Sequence, residues 1–244
     1  MTAEPSQRHA RFATTRWSVV LAAAADDAPT ARAALADLCA AYWYPLYGDA
    51  RRSGVQAQTA ADLVQGFFAA LIEKDWVASA DPERGRFRAF LLTAFRRFVG
   101  KVRDKEHAQR RGGGKVVTFD VGDAESRFRL EPADTMTPER EYERRFALTL
   151  LARAIDATRA EFLAAGRERE FAAFLPLLGG SGDVRPYADI AVSLGMTEGA
   201  VKVAVHRLRA RHRERLRAEV REVVASDADV DEEIRHLITA VAGG

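Results

Sequence analysis

Hydrophobic positions along this chain recur at helical spacing almost wherever a pattern can be read. In the clearest case Phe87, Phe90, Leu91, Ala94, Phe95, Phe98, Val99 and Val102 stand at offsets 0, 3, 4, 7, 8, 11, 12 and 15, one continuous apolar stripe over 87–103. The opposite face carries Arg88, Arg96, Arg97, Lys101 and Arg103. A second amphipathic helix is expected over about 59–74, with Leu63, Val64, Phe67, Phe68, Leu71 and Ile72 apolar and Thr59 as its N-cap. A third covers about 30–53 through Leu35, Leu38, Tyr42, Trp43 and Leu46. It should bend or break near Pro45, which lacks a backbone donor and crowds the preceding turn. A short helix capped by Thr14 or Thr15 precedes it, over 15–25. Period-two alternation is almost absent, Asn-Gly and Asp-Gly turns are missing, and only the stretch 115–119 reads as extended. The chain is therefore expected to be all-α.

The texture changes after Gly112-Gly113-Gly114. From there to Pro138 no helical stripe is visible, and Gly122, Pro132 and Pro138 alternate with the acids Asp120, Asp123, Glu125, Glu131 and Asp134. This stretch reads as a flexible linker between two helical domains. The expected organisation is an N-terminal extension over 1–29, a first helical domain over 30–111, the linker over 112–138, a second helical domain over 139–224 and an acidic tail over 225–244. The tail should hold a last short helix over about 230–242.

Composition narrows the class. Charged residues make up 30% of the chain and hydrophobic ones 48%, which suits a packed core and not a disordered chain. The single cysteine, Cys39, excludes an internal disulfide framework and a multi-cysteine zinc site, and points to a reducing, cytoplasmic setting. No apolar run approaches the ~20 residues needed to span a bilayer, and the N-terminus lacks a signal layout, so no membrane role is expected.

The net charge of +2 hides segregation. Residues 84–111 carry ten bases against Asp104 and Glu106, and residues 201–221 carry eight against Glu214 and Glu219. Residues 222–236 reverse the sign, with six acids against Arg235. Two basic helices in separate halves of the chain are the electrostatic footprint of nucleic-acid contact. The acidic tail has two readings: a cap on the second domain, which is preferred, or an autoinhibitory segment laying its acids on a basic helix.

The run from Pro186 to Arg209 fits a helix-turn-helix. Pro186 starts the first helix, whose inner face is Ile190, Ala191 and Leu194, with Ala191 small enough for a close helix crossing. Gly195 supplies the left-handed residue that ends it, and Thr197 caps the second helix. Val201, Val205 and Leu208 anchor the second helix, leaving Glu198, Gly199, Lys202, Val203, His206 and Arg207 outward. The N-terminal part of such a helix reads base edges in the major groove, with Arg209, Arg211 and Arg213 falling near phosphates.

These residues together resemble a known family. Ala60-Ala61-Asp62-Leu63-Val64-Gln65-Gly66-Phe67-Phe68-Ala69-Ala70-Leu71, then Phe87-Arg88-Ala89-Phe90-Leu91-Leu92 leading into a basic helix, then the C-terminal helix-turn-helix, are similar to the extracytoplasmic-function group of sigma-70 family RNA polymerase sigma factors. The resemblance covers roughly residues 30–111 and 140–217. It implies two helical domains, sigma regions 2 and 4, and a factor that binds core RNA polymerase through its clamp coiled coil and flap and directs promoter-specific initiation. Asp62, Gln65, Phe68 and Leu71 match the clamp-docking helix, although Phe68 and Leu71 also suit core packing. Arg96, Arg97, Lys101, Arg103, Lys105 and Arg110 match the helix that meets the melted −10 element, with the loop over 74–86 as a pocket wall for an unstacked base. Thr197, Glu198, Lys202, Val203, His206, Arg207 and Arg209 match the helix that reads the −35 element as duplex. The partners implied are core polymerase and promoter DNA, an anti-sigma factor being left open. The chain departs from a minimal member in its N-terminal extension, long linker and tail, and in Gly66, where a helix former would serve better and where another backbone can approach closely.

Rival classes are weaker. The five histidines form no metal-binding pair at i, i+4, and Gln109–Val116 lacks the first glycine and the terminal Ser or Thr of a phosphate-binding loop. Cys39 sits on an apolar helix and reads as core. Neither an enzyme nor a cofactor is expected. The alternative kept is a helix-turn-helix regulator that binds duplex DNA without polymerase.

Overall fold

A computed structural model describes residues 29–73, 86–108, 121–131, 136–179, 186–224 and 226–243. The expected helix over 15–25, the extended stretch over 115–119, the run 109–116, and the loop over 74–85 lie outside them. Every regular element among the described residues is helical. In chain order these are α1 (Pro29–Arg52), α2 (Ala57–Glu73), α3 (Phe87–Ala108), α4 (Val121–Leu130), α5 (Pro138–Ala164), α6 (Glu168–Phe174), a 3-10 turn Leu175–Leu177, α7 (Tyr187–Leu194), α8 (Glu198–Arg221), a 3-10 turn Asp227–Asp229 and α9 (Val230–Ala242). None of them is long and apolar enough to cross a membrane.

The chain divides into two compact units, one formed by residues 1–149 and 221–244 and the other by 150–220. The division read from the sequence was different, with the break over 112–138. That stretch holds α4, which packs on α1 and α2 inside the first unit. The acids read as linker solvation are its attachments. Arg51 donates to both oxygens of Glu125 at 2.8 and 2.9 Å, and the Tyr47 hydroxyl donates to it at 2.7 Å. Those hydrogen bonds, the arginine's first, hold the Glu125 carboxyl down to about 2. Farther along, Tyr44 donates to Glu131 at 2.7 Å and Arg145 at 2.8–2.9 Å. Only Ala124 of α4 is buried, so no apolar stripe could announce this helix.

The core of the first unit is aromatic. Tyr42 and Tyr47 of α1, Phe67 of α2, Phe95 of α3 and Tyr142 and Phe146 of α5 are fully enclosed. Phe67 meets Phe95 edge-on at 5.4 Å, and Tyr42 stacks on Phe146 at 4.9 Å. Helix α1 runs unbroken through Pro45, so of the bend or break expected there the break does not occur; Tyr42, Trp43, Tyr44, Leu46 and Tyr47 are buried around it. Phe87, Leu91 and Phe95 of the α3 stripe are buried as their spacing requires. Arg88, read as outward, is also buried, at 4% exposure. It bonds Glu143 of α5 at 2.5 Å and Glu233 of α9, and its guanidinium lies 5.5 Å from the Phe146 ring.

The tail thus has a different seat from the preferred one. Helix α9 belongs to the first unit, with Val230 and Leu237 buried and Glu233 between Arg88 and Arg86. Arg86 also pairs with Glu232 and His236. The tail's acids do lie at the start of the basic helix, but Arg97, Lys101 and Arg103 farther along stay exposed.

Two glycines differ sharply in what a methyl group would meet. A Cβ on Gly48 would stand 2.6 Å from the Arg145 side chain, which crosses α1 there to reach Glu131 and Glu141. On Gly66 it would meet only the edge of the Phe98 ring, at an ordinary 3.5 Å, so that helix position is open to a side chain. Gly48→Ala should cost about 1–3 kcal/mol in urea unfolding, by overpacking. Gly66→Ala should gain up to about 1 kcal/mol, from helix propensity. Glu233→Ala should cost about 3 kcal/mol in the same measurement, because it strips a buried guanidinium of one of its two carboxylates.

Candidate nucleic-acid interface

In the second unit the sequence specifies a helix-turn-helix at both of its ends. Helix α7 stops because Gly195 adopts φ +64° and ψ 32°. The Met196 N–H then reaches back to the Ala191 carbonyl at 2.9 Å, and the Gly195 N–H to Val192 at 3.3 Å, which closes a Schellman turn. Two residues later the Thr197 hydroxyl accepts the Ala200 N–H at 3.2 Å and starts α8. Ile190, Ala191, Val201, Val205 and Leu208 are buried together with Phe171, Phe174 and Leu177.

This core fixes the rotation of α8. Glu198, Gly199, Lys202, Val203, His206 and Arg207 all face solvent. Glu198 accepts from Lys202 at 2.7 Å across one turn, and that hydrogen bond raises the Lys202 ammonium above its ordinary value. Beside the row lies an open groove of about 790 Å³, lined in part by Phe162, Met196, Ala200, Val203 and Arg207.

Arg209 has a structural contact that its spacing did not imply. Its guanidinium donates through Nε and Nη2 to the Leu177 carbonyl, at 3.2 and 2.7 Å, and so ties α8 to the 3-10 turn. Arg211 and Arg213 are both exposed, and Arg211 pairs with Glu161 at 3.1 Å and with Glu214. No sequence spacing encodes a carbonyl 32 residues away as an arginine's partner.

In the first unit α3 presents Arg97, Lys101 and Arg103 to solvent, Arg97 and Lys101 on one side of the helix and Arg103 on the other. Arg96, next to them, is committed elsewhere: it holds the buried Asp49 carboxylate at 2.7 and 3.2 Å and Glu139 at 2.5 Å. Arg110 and the side chain of Lys105 lie outside the described residues. On α2, Asp62 is exposed and Gln65 half-buried, but Phe68 and Leu71 are core residues at 5% and 0% exposure. Of the four residues matched to polymerase docking, the polar pair is accessible and the apolar pair supports the fold.

Burial pushes the Cys39 thiol up to about 12, so it stays protonated and unreactive at neutral pH. Among the described residues no group of His, Cys, Asp and Glu has the arrangement to hold a metal ion. Comparison with protein families, curated proteins and solved structures finds no match for this chain.

His212 is the titratable group built into α8's inner side. Burial lowers its imidazole below the ordinary 6.5, and a hydrogen bond to the Ala154 backbone opposes this in part. As pH falls through 6.5 the unfolded chain takes up the proton first, so the folded unit loses stability on the acid side and not on the alkaline side. Thermal melts from pH 8 down to about pH 5 should show that loss in the wild type and a flatter profile in His212→Leu.

Proposed function

We propose that this chain is a sigma-type transcription factor of the extracytoplasmic-function kind, which binds core RNA polymerase and directs it to promoters with a −10 and a −35 element. The observation that carries this reading is the helix-turn-helix of the second unit, whose N-terminal readout row on α8 is exposed while its anchors are buried. In this reading Glu198, Lys202, Val203, His206 and Arg207 meet base edges and phosphates of duplex DNA in the major groove. The exposed cations Arg97, Lys101 and Arg103 on α3 hold the backbone of the melted strand, a task for point charges along a helix and not for base-edge geometry. Asp62 and Gln65 on α2 are the polar contacts to polymerase. In this reading Arg96 and Arg209 serve the fold before DNA, since Asp49 with Glu139 engages Arg96 and the Leu177 carbonyl engages Nε and Nη2 of Arg209.

Run-off transcription with core polymerase on genomic fragments tests the reading. Specific transcripts that need the added chain are expected. Loss of all association with its own core enzyme by folded protein would reject the proposal, and duplex binding retained without that association would favour the polymerase-independent regulator. Arg97→Ala combined with Lys101→Ala should lower open-complex formation about tenfold or more while changing duplex binding little; equal loss in both assays would reject the −10 role for α3.

A further inference from the structure

Val203 is the one large apolar side chain in the α8 readout row, and it is 50% exposed. Counting around the helix from the buried anchor Val201, each residue advances about 100°. Gly199 and Val203 therefore fall nearly opposite the buried seam of Val201, Val205 and Leu208, at the centre of the outward face. Lys202 and His206 flank that line on one side and Arg207 on the other. Gly199 adds no side chain, and nothing stands within 4 Å of where its Cβ would be. A helix face with a bare backbone beside a single valine can enter a groove deeply and places two methyl groups against whatever lies at its floor.

Valine neither donates nor accepts a hydrogen bond. Of the four base pairs, only those with thymine present an apolar group in the major groove, the C5-methyl. We infer that Val203 makes the −35-type contact selective for thymine at one position, by packing its methyl groups on the thymine methyl. This inference rests on the duplex-reading role proposed above and goes beyond it by assigning one base to one residue. The polar members of the row do not compete for that group: Lys202 carries only donors, Glu198 only acceptors, and neither gains from a methyl.

The test is selection from a random-sequence duplex library, by the full chain alone and by the chain added to core polymerase, followed by affinity measurements on the selected duplex. Each thymine is then replaced in turn by deoxyuridine, which deletes only the methyl group. One such replacement should weaken wild-type binding about fourfold, the value of one buried carbon, and others should not. In Val203→Ala, which removes both γ-methyl groups, the same replacement should have little effect, while Val203→Thr, which keeps one γ-methyl, should remain sensitive. Because Val203 is on the surface, equal thermal melting of the three proteins serves as the folding control. If a motif is selected but no thymine-to-uracil change matters, or Val203→Ala is as sensitive as wild type, the inference is overturned and the duplex-reading role stands. If neither the chain nor its mixture with core polymerase enriches any motif, the duplex-reading role itself fails and this inference with it.

Discussion

Burial of arginine side chains is the constraint on which the first unit depends. Arg88 and Arg145 are each 4% exposed, and a guanidinium cannot shed its charge to enter a protein interior. Each must therefore find carboxylates, and the chain supplies them from far away. Arg88 is met by Glu143 and Glu233, and Arg145 by Glu131 as well as by Glu141 one turn back on its own helix. The energetic worth of such pairs over well-packed apolar residues is small, because desolvation offsets most of the attraction. Their penalty when incomplete is large, several kcal/mol for an orphaned charge. An arrangement with that asymmetry does little for total stability and much for uniqueness: α4 buries only Ala124 and is held by Glu125, while α9 sets Glu233 against Arg88 between its buried Val230 and Leu237.

The second unit solves a different problem. For the base reading proposed for α8, the helix must hold its rotation to within a fraction of the 100° between successive residues, or a buried anchor and an outward residue exchange places. Three local devices set that rotation. Gly195 turns the chain, Thr197 sets the first turn of α8, and Arg209 clamps the helix to the Leu177 carbonyl farther along. The hydrophobic seam of Val201, Val205 and Leu208 then has only one way to meet Ile190 and Ala191.

How much of this was legible in the sequence follows from the same two mechanisms. Where an element is held by apolar packing, its periodicity displays it: α3, α8 and α9 lie where the spacing of Phe87–Val102, Val201–Leu208 and the tail residues puts them, and Gly195 and Thr197 act as their residue types imply. Where an element is held by charge, the sequence shows acids and bases without saying which meet. Helix α4 read as linker for that reason, and Arg88 read as surface because an arginine one position off an apolar stripe normally is. Phe68 and Leu71 show the opposite case. A motif match assigned them to a partner, whereas the stripe they belong to already required them in the core. The opposite charges of the α3 region and the tail were a usable signal for α9, but sign alone identified the helix and not the two arginines.

The consequence for nucleic-acid contact is that net charge per segment overstates the charge available to DNA. In α3 and the residue before it, Arg86, Arg88 and Arg96 are spent on Glu232, Glu233, Glu143, Asp49 and Glu139, and in α8 Arg211 is spent on Glu161. Arg97, Lys101, Arg103, Lys202, Arg207 and Arg213 are among the cations that face solvent. In the proposed function, exposed cations of this kind release counterions when they meet phosphate, and their number, not the +8 of residues 84–111 or the +6 of 201–221, would set the steepness with which binding falls as salt rises. Of these paired arginines only Arg88 is buried, at 4% exposure, and its ion pairs are screened little by salt, whereas the exposed pairs of Arg86, Arg96 and Arg211 weaken as salt rises.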